Sequence, residues 1–352
     1  MSEWASNTNA RDLAAWVRDQ RAVVLLTHTK PDGDALGSTL ALARAINLTT
    51  GTSGAASIAE CWYAAPVPPW ARSLTNATKV RTIEPGQPVP GALDPSAVVV
   101  TDTGAWSQLE PFAAWLRPRH ANTAVIDHHL HGDTDVGARI LLETDAAAVT
   151  QPTARVCTEL LGVGSPGDLP LEIAEPLYVG LATDTGWFRH SNVSPAVMSL
   201  AADLLRAGVN HGRLYEMIEQ QERLPRLRLM ARALGSLEFH IEKRAAIMSL
   251  TALDFAECGA APGESGGFVD IPQTVEAIRV SAVLTEQEAN SSEGPVTKMS
   301  LRSKAEPFDG RDPVDVAAVC QQIGGGGHAR AAGARVRAPL AVAKAKLLEA
   351  LP

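Results

Sequence analysis

Four short segments carry residue types that bind divalent cations. The first, THTKPDGDALGS at 27–38, places His28, Asp32 and Asp34 within seven positions of one another, in a loop leaving an apolar run. One imidazole and two carboxylates make a half-site for a hard-to-borderline divalent ion. Gly33 would let the loop turn sharply between the carboxylates, and Gly37 would allow close helix packing. The second segment, VVVTDTG, puts Asp102 directly after an apolar strand, and the third, VIDHHLHGD, presents Asp127, His128 and His129 together. The fourth, GLATDTGWFRHSN, supplies Asp184 and then Arg189. Each alone has an ordinary explanation, because Asx turns use Asp-Thr-Gly and isolated histidines are commonly structural. Four together, three directly after strand-like runs, are poorly explained as turns.

These segments need a frame. Residues 22–27, 97–101 and 124–126 form short apolar runs that read as strands, and helical patterns cover 35–46, 109–116, 148–161 and 194–207. Short buried strands alternating with helices predict an α/β domain with a mostly parallel sheet, whose ligands collect at the strands' carboxyl ends. Residues 209–235 read as a helical connecting segment. Beyond it, strands are expected at 236–250, 275–285 and 296–302, and helices at 312–322 and 338–350, giving a smaller α+β domain. The expected organisation is therefore 1–208, 209–235 and 236–352.

The repeated TDTG at 101–104 and 183–186 raises a second possibility, a pepsin-like pair of aspartates. That reading requires two all-β lobes, whereas this chain alternates strands with helices, and its second TDTG follows a helical pattern. It also leaves His28, Asp32, Asp34 and the His pair without a role.

The 352 residues carry a net charge of −8, which gives no basic footprint for duplex DNA or an anionic membrane. Four scattered cysteines without a C-x-x-C pair read as reduced thiols. The first twenty residues lack the apolar core of a secretory signal and read as an amphipathic helix, and no run approaches a membrane span. The expected location is cytoplasmic.

The order H-x-x-x-D-x-D, D-T-G, D-H-H and T-D-T-G resembles the DHH phosphoesterase superfamily. The run GGGGHARAAG at 324–333 resembles the G-G-G-H-x-x-A-A-G signature of the DHH-associated C-terminal domain. The two-domain length is similar to the bacterial nanoRNase and pAp-phosphatase subgroup, which includes cyclic-dinucleotide phosphodiesterases. Where many relatives carry an Asn shortly after D-H-H, this chain has Leu130-His131-Gly132.

The resemblance implies two Mn²⁺ per subunit, although the donor types also suit iron, cobalt or zinc. One ion would take His28, Asp32 and Asp102, and the other Asp34, Asp102, His128 and Asp184, with Asp102 bridging. His129 would face the phosphoryl group or protonate the leaving oxygen, and Asp127 would orient a neighbouring imidazole. Four ligand aspartates balance two divalent ions, so further cations should meet the anionic transition state. Arg189, Arg302 and His328 are the candidates. Gly325, Gly326 and Gly327 would let backbone N–H groups approach a phosphate, against the plainer reading of a flexible linker. Trp187 or Phe188 could stack on a base or belong to the core.

The expected substrates are pAp, di- to pentanucleotide RNA, and linear or cyclic dinucleotides such as pApA and c-di-AMP, cut in an interdomain cleft to mononucleotides. A homodimer is also implied. The alternative is a family II-type inorganic pyrophosphatase, which shares the first-domain motifs but carries a different C-terminal domain. A RecJ-type exonuclease would need a larger chain, and a degenerate nucleotide-binding regulator would have lost one of the six ligands.

Overall fold

The computed structural model describes residues 4–51, 58–75, 78–87, 89, 94–287, 294–304, 310 and 312–352. It divides into two units, 1–221 and 222–352. The first opens with α1 (Ala10–Arg18), β1 (Val23–Leu26), α2 (Gly33–Gly51), β2 (Ala59–Ala64), α3 (Ala71–Thr75) and β3 (Val80–Ile83). It continues with β4 (Ala97–Thr101), α4 (Glu110–Leu116), β5 (Thr123–Asp127) and β6 (Arg139–Leu142). Four helices close it: α5 (Thr150–Leu161), α6 (Leu171–Asp184), α7 (Pro195–Arg206) and α8 (His211–Glu219).

The six strands pair in parallel in the order β3-β2-β1-β4-β5-β6. Alternate residues of the central strands enter two cores. Val23, Leu25 and Val99 join one with α1, α2, α5 and α6, while Val24, Leu26, Val98 and Val100 join the other with Phe112 and Leu116 of α4. Burial on both faces is why these strands read as unbroken apolar runs. Chain direction across the sheet reverses between β1 and β4, since β1 leads outward to β2 and β4 leads to β5 on the other side. Loops splay apart at such a point and leave a crevice at the strands' carboxyl ends.

Helices α2 and α6 pack too closely at Gly37 to leave room for a side chain. A Cβ on Gly37 would stand 2.3 Å from the Pro176 carbonyl oxygen and 3.0 Å from the Gly180 nitrogen. Gly33 is not the turn residue expected. It opens α2, its φ is not left-handed, and an added Cβ would lie 2.2 Å from Thr183 Oγ1.

The second unit holds α9 (Leu224–Gly235), β7 (Glu238–His240), β8 (Ala245–Leu250), α10 (Ala252–Cys258), β9 (Val280–Gln287) and β10 (Val296–Ser303). It ends with α11 (Val316–Gln322), β11 (Gly326–His328), β12 (Ala331–Val336) and α12 (Leu340–Ala350). Its mixed sheet runs β11-β12-β10-β9-β8-β7. One face is covered by α11 and α12, and α9 packs with Met248, Phe268 and Val283 on the other. The segment 209–235, read from sequence as a connector, therefore supplies a helix to each unit. No helix among the described residues is long and apolar enough to cross a membrane.

Candidate metal centre

The loops after β1, β4 and β5 open into the crevice at the reversal point, and α2 and α6 close it from the side. The loops bring His28, Asp102, His128 and His129, the end of β5 brings Asp127, α2 brings Asp34 and the end of α6 brings Asp184. A cavity of about 360 Å³ is lined by His28, Asp32, Asp102, His128, His129 and Asp184 among others.

Asp102 lies at the middle. Its Oδ2 is 3.3 Å from His28 Nε2 and its Oδ1 is 3.4 Å from His128 Nε2, so each carboxylate oxygen faces a different imidazole. Its backbone is left-handed, with φ 63°, at only 4% exposure. Such conformations are strained for a residue with a side chain, though aspartate tolerates them better than most. The Asp102 N–H is anchored to the Ile126 carbonyl at 3.0 Å.

Both imidazoles are oriented from behind. His28 Nδ1 is 2.9 Å from the Thr29 carbonyl and His128 Nδ1 is 3.1 Å from the Ala146 carbonyl. A carbonyl only accepts, so Nδ1 carries a proton and Nε2 is the nitrogen turned toward the carboxylates, where it would give up its own proton on binding a cation, as a metal-binding histidine does. Asp34, 1% exposed, accepts from the N–H groups of Val149 (2.5 Å) and Thr150 (3.0 Å) at the start of α5. A buried carboxylate from α2 thus caps a helix more than a hundred residues away.

Among the described residues, three groups of donor atoms lie close enough to hold a cation. They are His28, Asp32 and Asp102; Asp34, His128 and Asp184; and Asp102, His128 and His129, with the atoms of each set within 4.8 Å of one another. The electrostatics agree. Burial alone would push His28 down, but hydrogen bonds to Asp102 and Asp32 raise it to about 10. His128 is likewise carried past the opposing effect of burial, by Asp102 and Asp34, to about 9. Burial, then Asp102, pushes Asp184 up to about 6, and burial with Asp102 and Asp184 raises Asp34 well above the carboxylate range. Carboxylates crowded out of water draw positive charge, and a divalent cation competes with protons for the same place. The donor set fits such an ion.

Asp127 is fully buried and does not line up with the three groups. Its Oδ1 accepts from the N–H groups of His128 (2.7 Å) and His129 (3.2 Å) and from His129 Nδ1 at 2.7 Å. That carboxylate fixes the loop and one tautomer of His129, whose pKa it raises.

The remaining expected residues lie elsewhere. Arg189 is exposed, and its Nε donates to the Gly186 carbonyl at 2.7 Å. Trp187 and Phe188 pack against the first core, with the Trp187 indole N–H on Glu219 and the Phe188 ring against Tyr178. Arg302 and His328 belong to the second unit. Arg302 pairs with Ala331, which pairs with His328, so the two share one sheet face. Arg302 also lines a cavity of about 490 Å³ with Lys298, Arg335, Thr285, Ser300 and Phe255. Gly325 and Gly327 are explained by packing on β12, where a Cβ would meet the Gly333 oxygen at 2.2 Å and the Ala331 oxygen at 2.7 Å. Gly324 and Gly326 have open space beside them. Thr103, Gln108 and His131, not singled out from sequence as site residues, line the metal-centre cavity.

Comparison with known proteins agrees with this frame. The model of the DHH family N-terminal domain matches residues 22–181. The chain is 31% identical over 316 residues, 90% of its length and 84% of the other, to the bifunctional oligoribonuclease and PAP phosphatase NrnA of Thermus thermophilus. In fold it is similar to an exopolyphosphatase-related protein of Bacteroides fragilis, with a TM-score of 0.79 and 20% identity, covering 100% of this chain and 97% of that one. The chain belongs to the DHH phosphoesterase family.

Proposed function

We propose that the chain is a two-metal phosphoesterase that cleaves short nucleotides in the cytoplasm. The substrates in this reading are pAp, RNA of two to five nucleotides, and linear or cyclic dinucleotides. The observation that carries it is the pair of donor groups, His28/Asp32/Asp102 and Asp34/His128/Asp184, joined through the Asp102–His128 contact of 3.4 Å. One ion would be held by each group, with Asp102 shared. Manganese suits this mixed imidazole and carboxylate set. Similarity to an oligoribonuclease and PAP phosphatase along 90% of the chain supports the substrate class.

When bound, divalent ions acidify water and offset charge on phosphoryl oxygens. The chain's own groups do the rest. His129 keeps its Nδ1 proton on Asp127 and leaves Nε2 free, on a side chain 55% exposed, to meet the phosphoryl group or give a proton to the departing oxygen. In the second unit Arg302, Lys298 and Arg335 supply positive charge around the 490 Å³ cavity, and Phe255 supplies an aromatic wall. Neither Lys298 nor Arg335 has an ion-pair partner among the described residues, so both are available to substrate phosphates.

The deciding experiment is manganese-supplemented hydrolysis of a panel holding pAp, pApA, c-di-AMP, a 24-mer RNA and pyrophosphate. Turnover of the short nucleotides is expected. A preference for pyrophosphate would support the phosphoanhydride alternative and overturn this reading.

A further inference from the structure

The amphipathic helix expected of the first twenty residues is α1, and the segment 4–9 ahead of it is not helical. That segment lies along β6, the edge strand of the parallel sheet. Ser6 Oγ donates to the Leu142 carbonyl (2.8 Å) and accepts from the Leu142 N–H (2.7 Å). The Asn7 N–H donates to the Ile140 carbonyl at 2.9 Å, and its side chain accepts from the Ile140 N–H at 2.8 Å and donates to the Ala138 carbonyl at 3.1 Å. These bonds fix the segment in one register, because a slip by one residue would break them all.

That register delivers Trp4 to the metal centre's own loops. Its indole N–H donates to the His129 carbonyl at 3.1 Å. A Cβ on Gly104, two residues beyond Asp102, would stand 2.0 Å from Trp4 Cη2, and a Cβ on Gly132, three beyond His129, would stand 2.5 Å from Trp4 Cε2. Neither glycine has a left-handed φ. Backbone conformation therefore does not require glycine at either place, and the indole does. The same two loops are tied by the Asp133 N–H on the Gly104 carbonyl (2.7 Å) and the Trp106 N–H on Asp133 Oδ2 (2.8 Å).

We propose that Trp4 is a positioning residue, a wedge between the Asp102 and His129 loops that sets where the His129 imidazole stands relative to the metal centre. Its hydrogen bond goes to the His129 main chain and not to a ligand side chain, so its removal should spare metal binding. This rests on the reading that the reaction takes place at that centre. It predicts a kinetic signature. Trp4→Ala lowers kcat on pApA by about tenfold or more, since displacements near 1 Å are enough for such losses. The manganese midpoint stays within about twofold, because the ligands' own anchors remain. Trp4→Phe keeps the ring, loses the bond to the His129 carbonyl and falls between the two.

Gly104→Ala supplies the cross-check. It is damaging in the wild-type background, where the indole blocks the methyl, and nearly silent with Trp4→Ala, where the space is free. Hydrogen exchange at the Asp133 amide gives a readout independent of turnover, and Trp4→Ala should speed it by about tenfold. Unchanged kcat and unchanged exchange in Trp4→Ala, or equal damage from Gly104→Ala in both backgrounds, would overturn the wedge. A wild-type protein inactive on every short nucleotide would instead overturn the proposed function, with the exchange result still judging Trp4.

Discussion

Replacing Gly37 by alanine tests how the helices set the metal centre. The new Cβ would stand 2.3 Å from the Pro176 oxygen and within 3.2 Å of two backbone atoms of Gly180. A normal contact needs roughly 1 Å more, and both obstructions are backbone, so α2 and α6 must part by about that distance. Overpacking of this kind costs about 1–3 kcal/mol, against about 1 kcal/mol regained from the better helix propensity of alanine. A net loss of up to about 2 kcal/mol is expected by urea unfolding. The functional loss should be larger than the loss of stability. Gly37 lies one turn from Asp34 and Gly180 one turn from Asp184, so spreading the helices separates two carboxylates of one donor group. A 1 Å misplacement corresponds to about 10²-fold in rate, with weaker manganese binding by calorimetry. Gly235→Ala is the control. It ends α9, its φ is ordinary and nothing lies within 4 Å of the added Cβ, so stability should hold or rise by up to about 1 kcal/mol. If Gly37→Ala unfolds no more easily than Gly235→Ala and turns over pApA normally, the close crossing does not position the carboxylates.

Glu60 offers a test remote from the site. Burial would raise its carboxyl, but Lys79, Trp62 and Arg81 outweigh burial and hold it below the usual range. Its contribution is therefore present above the unfolded pKa of about 4.3 and lost as pH falls through the folded value. Glu60→Gln should be less stable by about 1 kcal/mol at pH 7, since Lys79 is half exposed, with the gap closing below about pH 4 in parallel urea titrations. In the second unit, Arg302→Ala and His328→Ala should reduce nucleotide turnover while the first unit still binds manganese. Loss of the metal in either variant would contradict that division of labour.

The central strands and the metal donors were legible because each announces itself locally. A strand buried on both faces reads as VVLL or AVVVT, and the loop after it reads as polar. Strands β2, β3 and β6 were not legible for physical reasons. AECWYA carries Glu60 at its second position, its charge met by Lys79 and Arg81 from outside the strand, and VRTI is a four-residue edge strand with two polar positions. RILL draws its edge partners from residues more than a hundred positions earlier. Gly37 announced close packing, but nothing local to Gly33 or Gly180 named their partners. The glycine run at 324–327 was readable as special, yet two of its glycines answer to β12. Asp34 as the cap of α5, and Trp4 against Gly104 and Gly132, join parts of the chain that only the fold brings together.

The central claim is that Asp102 is shared by two metal ions. Manganese bound per chain, measured by elemental analysis alongside pApA turnover, tests it directly in wild type, His28→Ala, Asp184→Ala and Asp102→Ala. The account predicts two ions in wild type, one in each outer variant, fewer than one in Asp102→Ala, and no turnover in that last variant. A single ion in wild type, or two retained without Asp102, would contradict it.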